Sequence, residues 1–273
     1  MTKIIPRDLI KHLEWKPGQA TAPITPVTNP VPQNTGSFNG DNASYSFLEG
    51  DFGRQVLEEY NQLVQSEYQN ASALQKLSFV DDVVKGSNPF AFVLLNRVLQ
   101  NHGRWVARPI DLEKALEKDA INLRGTYGDS GLVLRSENDP NEYLAKNLAS
   151  QVKEKGYTVG RDSVMIPLAG FELVYDSNSP HNLVFQLTDS SEIIYAPQLN
   201  KTNHGKKFNG ADEKGLPTFE DNGSRTLYSN EENGVCRLFR NWGLDLNARI
   251  RDLAASDDVG RVITCAEGTT PKN

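Results

Sequence analysis

Between Arg237 and Ile263 the chain reads RLFRNWGLDLNARIRDLAASDDVGRVI, and its centre alternates strictly. Trp242, Leu244, Leu246 and Ala248 fall on one parity, and Asn241, Gly243, Asp245 and Asn247 on the other. A period of two places the first set on one face of a strand and the second on the opposite face. The apolar face is then expected in the core and the polar face in solvent. The polar face is unusual, because Asn, Gly and Asp are poor strand formers. Two readings follow: an ordinary half-buried strand with its loop, or a rigid scaffold that displays side chains chosen for something other than strand stability.

The rest of the chain supplies a framework for such a strand. Residues 3–15 read as a short amphipathic helix or loop, and residues 16–44 hold Pro17, Pro23, Pro26, Pro30 and Pro32, which oppose both helix and ladder pairing. The expectation is an N-terminal segment over 1–50 with a Pro-rich arm, followed by a domain over 51–273. Phe52, Val56, Leu57, Tyr60, Leu63, Val64 and Tyr68 recur at helical spacing. Gly86-Ser87-Asn88-Pro89 breaks the chain and caps a new helix that begins near Phe90. Asp111 is a plausible N-cap for a helix over 111–119. Tyr143, Leu144, Leu148 and Val152 form the stripe of a helix over 139–156, with Gly156 at its C-terminus.

Strands are expected at 126–136, at 163–176 with an interruption at Pro167 or Gly170, at 183–187 and at 192–197. Residues 200–225 read as one long polar loop, and TLYS, GVCRLFR and GRVITCAE complete the sheet. Helices first and strands later indicate an α+β domain, loop-rich, with helices packed on a twisted antiparallel sheet.

Chemistry is hard to find in this pattern. His12, His102, His181 and His204 have no partner at metal-ligand spacing. Ser130 in TYGDSG lacks the nucleophile-elbow motif. No phosphate-binding glycine loop is present, and Asp245, Asp257 and Asp258 lack the spacing of a calcium loop. No cofactor is expected. The net charge of -6 and the lack of a basic cluster argue against nucleic acid as a partner. MTKIIPRDLIKHLEW lacks the apolar run of a signal peptide, and no segment is apolar for long enough to insert into a membrane. Cys236 and Cys265 are expected as buried thiols, with a disulfide as the alternative if their strands pair.

A resemblance adds to this reading. GSNPF at 86–90, RPIDLEKAL at 108–116, GTYGDSGLVLRSENDPNEYLAKNLASQV at 125–152, MIPLAGFEL at 165–173 and DSNSPHNLVFQLTDSSEIIYAP at 176–197 resemble the variable proteins of diversity-generating retroelements, in the group found in archaeal viruses and small-genome microbes. The most specific part is RLFRNWGLDLNARIRDLAASDDVGRV at 237–262. The resemblance implies a C-type lectin fold whose C-terminal region, about 237–263, is rewritten by a reverse transcriptase that mutates adenines. It implies a fixed framework of Arg237, Leu238, Trp242, Leu244, Leu246, Leu253, Ser256, Gly260, Arg261 and Val262. The implied variable, ligand-binding positions are Phe239, Asn241, Gly243, Asp245, Asn247, Ile250, Arg251, Asp252, Ala255, Asp257 and Asp258. Each of these residues can be reached from an Asn codon by changing only its adenines, whereas Trp242 cannot.

The expected function is therefore recognition of an unknown protein or cell-surface ligand, displayed on a virion or cell surface. Four acids in the variable stretch favour a positive or amphipathic partner. The alternatives are an enzyme of the formylglycine-generating type, which would draw on Cys236 and Cys265, or a structural virion subunit whose Pro-rich arm makes the contacts.

Overall fold

The computed structural model describes residues 43–267. The expected helix or loop at 3–15 and almost all of the Pro-rich arm lie outside the described residues. The chain first enters a strand at β1 (Ser44–Phe47), which pairs with the last strand, β15 (Ile263–Ala266). The folded unit thus begins before residue 51, because its first and last strands close on each other.

Helix α1 (Gly50–Glu67) buries Val56, Leu57, Tyr60 and Val64, the stripe its spacing implied. Helix α2 (Pro89–Gln100) starts where the GSNP sequence directs. The Asn88 carbonyl side-chain oxygen accepts from the Ala91 N–H, and Pro89 occupies the first turn. Helix α3 (Pro109–Glu117) starts earlier than expected. Pro109 opens it, and Asp111 is no N-cap: from inside the first turn its carboxylate reaches back to the Arg108 N–H at 3.0 Å. Helix α4 (Glu142–Glu154) buries Leu144, Leu148 and Val152 and is followed by Gly156 at φ +86°, but Tyr143, expected in the same stripe, is exposed and donates its hydroxyl to Asp176 at 2.6 Å.

An eight-stranded sheet runs β11 (Pro217–Phe219), β10 (Lys207–Ala211), β12 (Arg225–Tyr228), β14 (Leu246–Asn247), β13 (Val235–Arg240), β5 (Gly128–Leu134), β6 (Val164–Pro167) and β9 (Ile194–Tyr195). It is not purely antiparallel: β12 and β14 run parallel, at Leu227↔Leu246 and Tyr228↔Asn247. A three-stranded sheet joins β1, β15 and β4 (Arg104–Val106). Two hairpins, β2 (Ser78–Val80) with β3 (Val83–Lys85) and β7 (Phe171–Tyr175) with β8 (Leu183–Leu187), complete the strands. A 3-10 turn at Leu168–Gly170 divides β6 from β7, so the expected interruption falls there.

The segment 200–225 is not one loop. Lys207–Ala211 and Pro217–Phe219 pair as a hairpin, and Phe208, fully buried, anchors it. One aromatic among polar neighbours leaves too weak an alternation to announce a strand.

Strand β5 is buried along its whole length and separates two cores. Leu132 and Leu134 face α1, α2 and α4, while Val133 joins Met165, Phe208, Leu227, Leu238 and Leu246 on the opposite side. Among the described residues no helix is long and apolar enough to cross a membrane. The fold is therefore α+β, a curled mixed sheet with helices against it.

Candidate functional site

Strand β13 carries the C-terminal stretch into the middle of the large sheet. It pairs with β5 from Val235↔Leu134 to Arg240↔Gly128, with a bulge between Leu238 and Phe239. Ser130 is the extra residue on β5, and its hydroxyl donates to the Leu238 carbonyl at 3.3 Å. Its hydroxyl is thus tied into the sheet.

After Arg240 the expected strand does not continue. The Asn241 side-chain oxygen accepts the N–H groups of Gly243 and Asp245, both at 3.0 Å, and the Leu244 N–H donates to the Asn241 carbonyl at 2.8 Å. An Asn that closes a turn on its own backbone explains the polar parity that strand propensity could not. The turn overturns the expected burial. Trp242 is 63% exposed, the most exposed of the large hydrophobic side chains among the described residues, and Leu244 is half-buried at φ +69°. Leu246 and Ala248 lie in the core as expected. Asn247, expected in solvent, is buried in β14, where it pairs with both Tyr228 and Phe239.

Beyond β14 the chain is irregular, and side chains from distant elements hold its backbone. Arg237 is the centre of that hold. Its Nε and Nη2 donate to Asp129 at 2.8 and 2.6 Å, Nη2 to the Ser87 carbonyl at 3.0 Å, and Nη1 to the Ala255 carbonyl at 2.9 Å. Burial opposes the Arg237 charge, but the adjoining Asp129 carboxylate outweighs it and raises the guanidinium above its ordinary range. Ser87 donates its hydroxyl to Asp129 at 2.6 Å, and its N–H reaches the Ser256 hydroxyl at 2.9 Å. The Tyr127 hydroxyl accepts the Asp257 N–H at 3.1 Å, and the Asn141 amide donates to the Arg251 carbonyl at 2.7 Å. Gly260 lies so close to Gly86 and Ser87 that a Cβ there would meet backbone at 2.7–2.8 Å. The GSNP sequence therefore caps a helix and also receives the C-terminal stretch.

These constraints shape one cleft of about 570 Å³. Of the expected variable residues, Phe239, Asn241, Gly243, Asp245, Asn247, Ile250, Ala255 and Asp257 line it. Arg251, Asp252 and Asp258 are exposed but lie outside it. Arg251 pairs with Glu231 at 2.8 Å, and Asp252 accepts the N–H groups of Ala254 and Ala255. Framework residues Arg237, Leu238, Leu246, Leu253, Gly260 and Val262 are buried, whereas Trp242 is a wall of the cleft. Tyr127, Tyr228, Arg249 and Val259, none of them expected at the site, also line the cleft, as do the expected framework residues Arg237 and Ser256. Tyr127 and Tyr228 precede the stretch by many residues, and only sheet pairing brings them to it. Tyr127 meets Phe239 edge-on at 5.7 Å, and Arg249 sits over Tyr228 at 4.8 Å.

A buried cluster lies beneath the turn. Arg225 and Arg240 both pair with Glu113, Arg225 at 2.8 Å. Burial lowers both guanidinium groups from their ordinary value, and Asp245 acts in the opposite direction on each. The two cysteines are free and buried, Cys236 in the eight-stranded sheet and Cys265 in the three-stranded one, so the alternative of a disulfide clasp fails on topology. Burial pushes the Cys236 thiol up to about 11 and raises Cys265 further. Among the described residues no group of three or more His, Cys, Asp and Glu could hold a metal ion.

Comparison with protein-family models, with curated proteins and with solved structures finds no match to this chain.

Proposed function

We propose that the protein is a ligand-binding display protein of the retroelement-diversified type, with a C-type lectin scaffold and a C-terminal binding region open to rewriting. One observation carries this reading: most of the residues expected to vary converge on a single cleft, while the framework residues around them, Trp242 and Leu244 apart, are buried or tied to the scaffold. The backbone beneath the cleft is held by Arg237, Ser87, Tyr127 and Asn141. Side-chain changes above such a backbone cost little entropy on binding and little stability. The ligand is a protein or another cell-surface macromolecule, and display on a virion or cell surface follows from that role.

The test is genomic. A template repeat and a reverse-transcriptase gene should lie near the coding sequence, with the repeat differing from codons 239–258 only where the repeat has adenine. A neighbourhood with no such repeat overturns the reading. A library randomised at the cleft positions, panned on cells, supplies the biochemical counterpart.

A further inference from the structure

We propose that the cleft takes a carboxylate of a protein partner on the Arg249 guanidinium, with an apolar side chain beside it covering Trp242. This rests on the reading of the cleft as a ligand-binding surface and names the chemistry of the partner.

Composition points the other way, toward a cationic partner, because four acids crowd the stretch. The fold takes two of the four out of the cleft and engages the other two with backbone N–H groups. Asp252 and Asp258 are not in its lining. Asp245 lines the cleft half-buried and is engaged there: its Oδ1 accepts the Thr226 N–H at 2.6 Å, and its charge acts on Arg225 and Arg240. Those two cations share one carboxylate, Glu113, and the Glu117 and Asp245 charges both favour the charged form of Arg225. Asp257, at the exposed edge, has Oδ1 turned onto the N–H groups of Val259 and Gly260 at 3.1 and 3.3 Å.

The two cations of the lining differ in the same way. Arg237 is saturated by Asp129 and by main-chain carbonyls. Arg249 stands over the Tyr228 ring, 4.8 Å from its centroid, and no ion pair joins it to a carboxylate among the described residues. A guanidinium over an aromatic ring keeps its fork of donors and is well suited to bidentate recognition of a carboxylate. Trp242 adds a large exposed apolar surface to the same cleft. With the whole chain at -6, long-range attraction does not draw anions in, so the apolar contact is needed alongside the ion pair.

The test uses the full chain, labelled with nitrogen-15, and follows the Trp242 indole N–H, assigned with a Trp242→Phe variant. The probes are N-acetyl-Phe-Glu-amide, N-acetyl-phenylalanine, N-acetyl-Phe-Gln-amide, N-acetyl-Phe-Lys-amide and inorganic phosphate. A saturable shift with either carboxylate probe supports the proposal, and the stronger of the two says whether a side chain or a chain terminus is the natural source. The Gln probe and the Arg249→Gln variant should each weaken binding by roughly tenfold, the scale of one charged hydrogen bond. Arg249→Gln should lower its thermal midpoint only slightly, because the guanidinium has no internal ion pair to lose and gives up the Tyr228 ring contact alone. Tighter binding of the Lys probe, unchanged affinity in Arg249→Gln, or a response to phosphate equal to that of the Glu probe would overturn the proposal. So would an indole that no probe moves. None of these outcomes bears on the display reading, which the template repeat decides separately.

Discussion

Asp129 and Arg237 meet through two hydrogen bonds of 2.6 and 2.8 Å, with 0% and 4% of their side chains exposed. The pair bridges two adjacent strands of the large sheet, β5 and β13, and the Arg237 Nη1 extends it to the irregular segment through the Ala255 carbonyl at 2.9 Å. Removing one partner of such a pair leaves a buried charge uncompensated. Asp129→Ala should therefore lower the unfolding free energy by about 3–5 kcal/mol. Urea titration measures the loss, and hydrogen exchange at Ala255 and Asp257 should rise with it.

Trp242 and Leu246 share a parity in sequence but not a place in the fold. Trp242 is 63% exposed and Leu246 is 2% exposed. Trp242→Ala should change stability by no more than about 0.5 kcal/mol, the usual range for a surface site. Leu246→Ala should cost about 2–5 kcal/mol, as for other buried leucines. Equal losses in thermal or chemical denaturation would restore Trp242 to the core.

Asn241 closes the turn that forms one wall of the cleft. Its side-chain oxygen receives two backbone N–H groups of the turn. Asn241→Ala should cost about 1 kcal/mol, and Asn241→Asp should recover most of it, because either side chain can close the turn. The comparison needs only the two variants and a denaturant curve.

His181 sets a pH dependence of known sign. It packs against Phe90 at 5.1 Å, and burial lowers its pKa below the ordinary imidazole value. The unfolded chain then binds the proton more readily, so stability rises with pH across the window between the folded and unfolded values. Its contribution is complete above the unfolded pKa of about 6.5 and declines as pH falls toward the folded value. His181→Gln should flatten the stability profile below about pH 6.5.

Both thiols should resist modification while the chain is folded. Cys236 is raised to about 11 by burial, and both cysteines are enclosed. Reagents that need a thiolate should find no reactive group at pH 8 until denaturant is added, when two thiols should titrate. Fast native-state labelling of either would show that its strand opens.

Local pattern was enough for α1, α2, most of α4 and several strands. The stripe of α1, the Asn88 cap with Pro89, the stripe of α4 ending at Gly156, and the apolar run of β8 all rest on contacts within a few residues. Their periodicity therefore survives in the sequence. Eight of the eleven positions expected to vary border the one cleft, so part of its lining was legible in residues 239–257.

Tertiary structure decided what the alternation could not. A period of two assigns residues to parities, but it does not say where a strand stops. The Asn241 turn stops it, and Trp242 goes to solvent while Leu246 returns to the sheet beside Leu227. The cleft itself depends on Tyr127 and Tyr228, brought to the stretch by bridges and pairings between distant segments. Its charge depends on which carboxylates find buried partners. Residues far apart in the chain meet only when the sheet closes, so no window of sequence contains the information that places them.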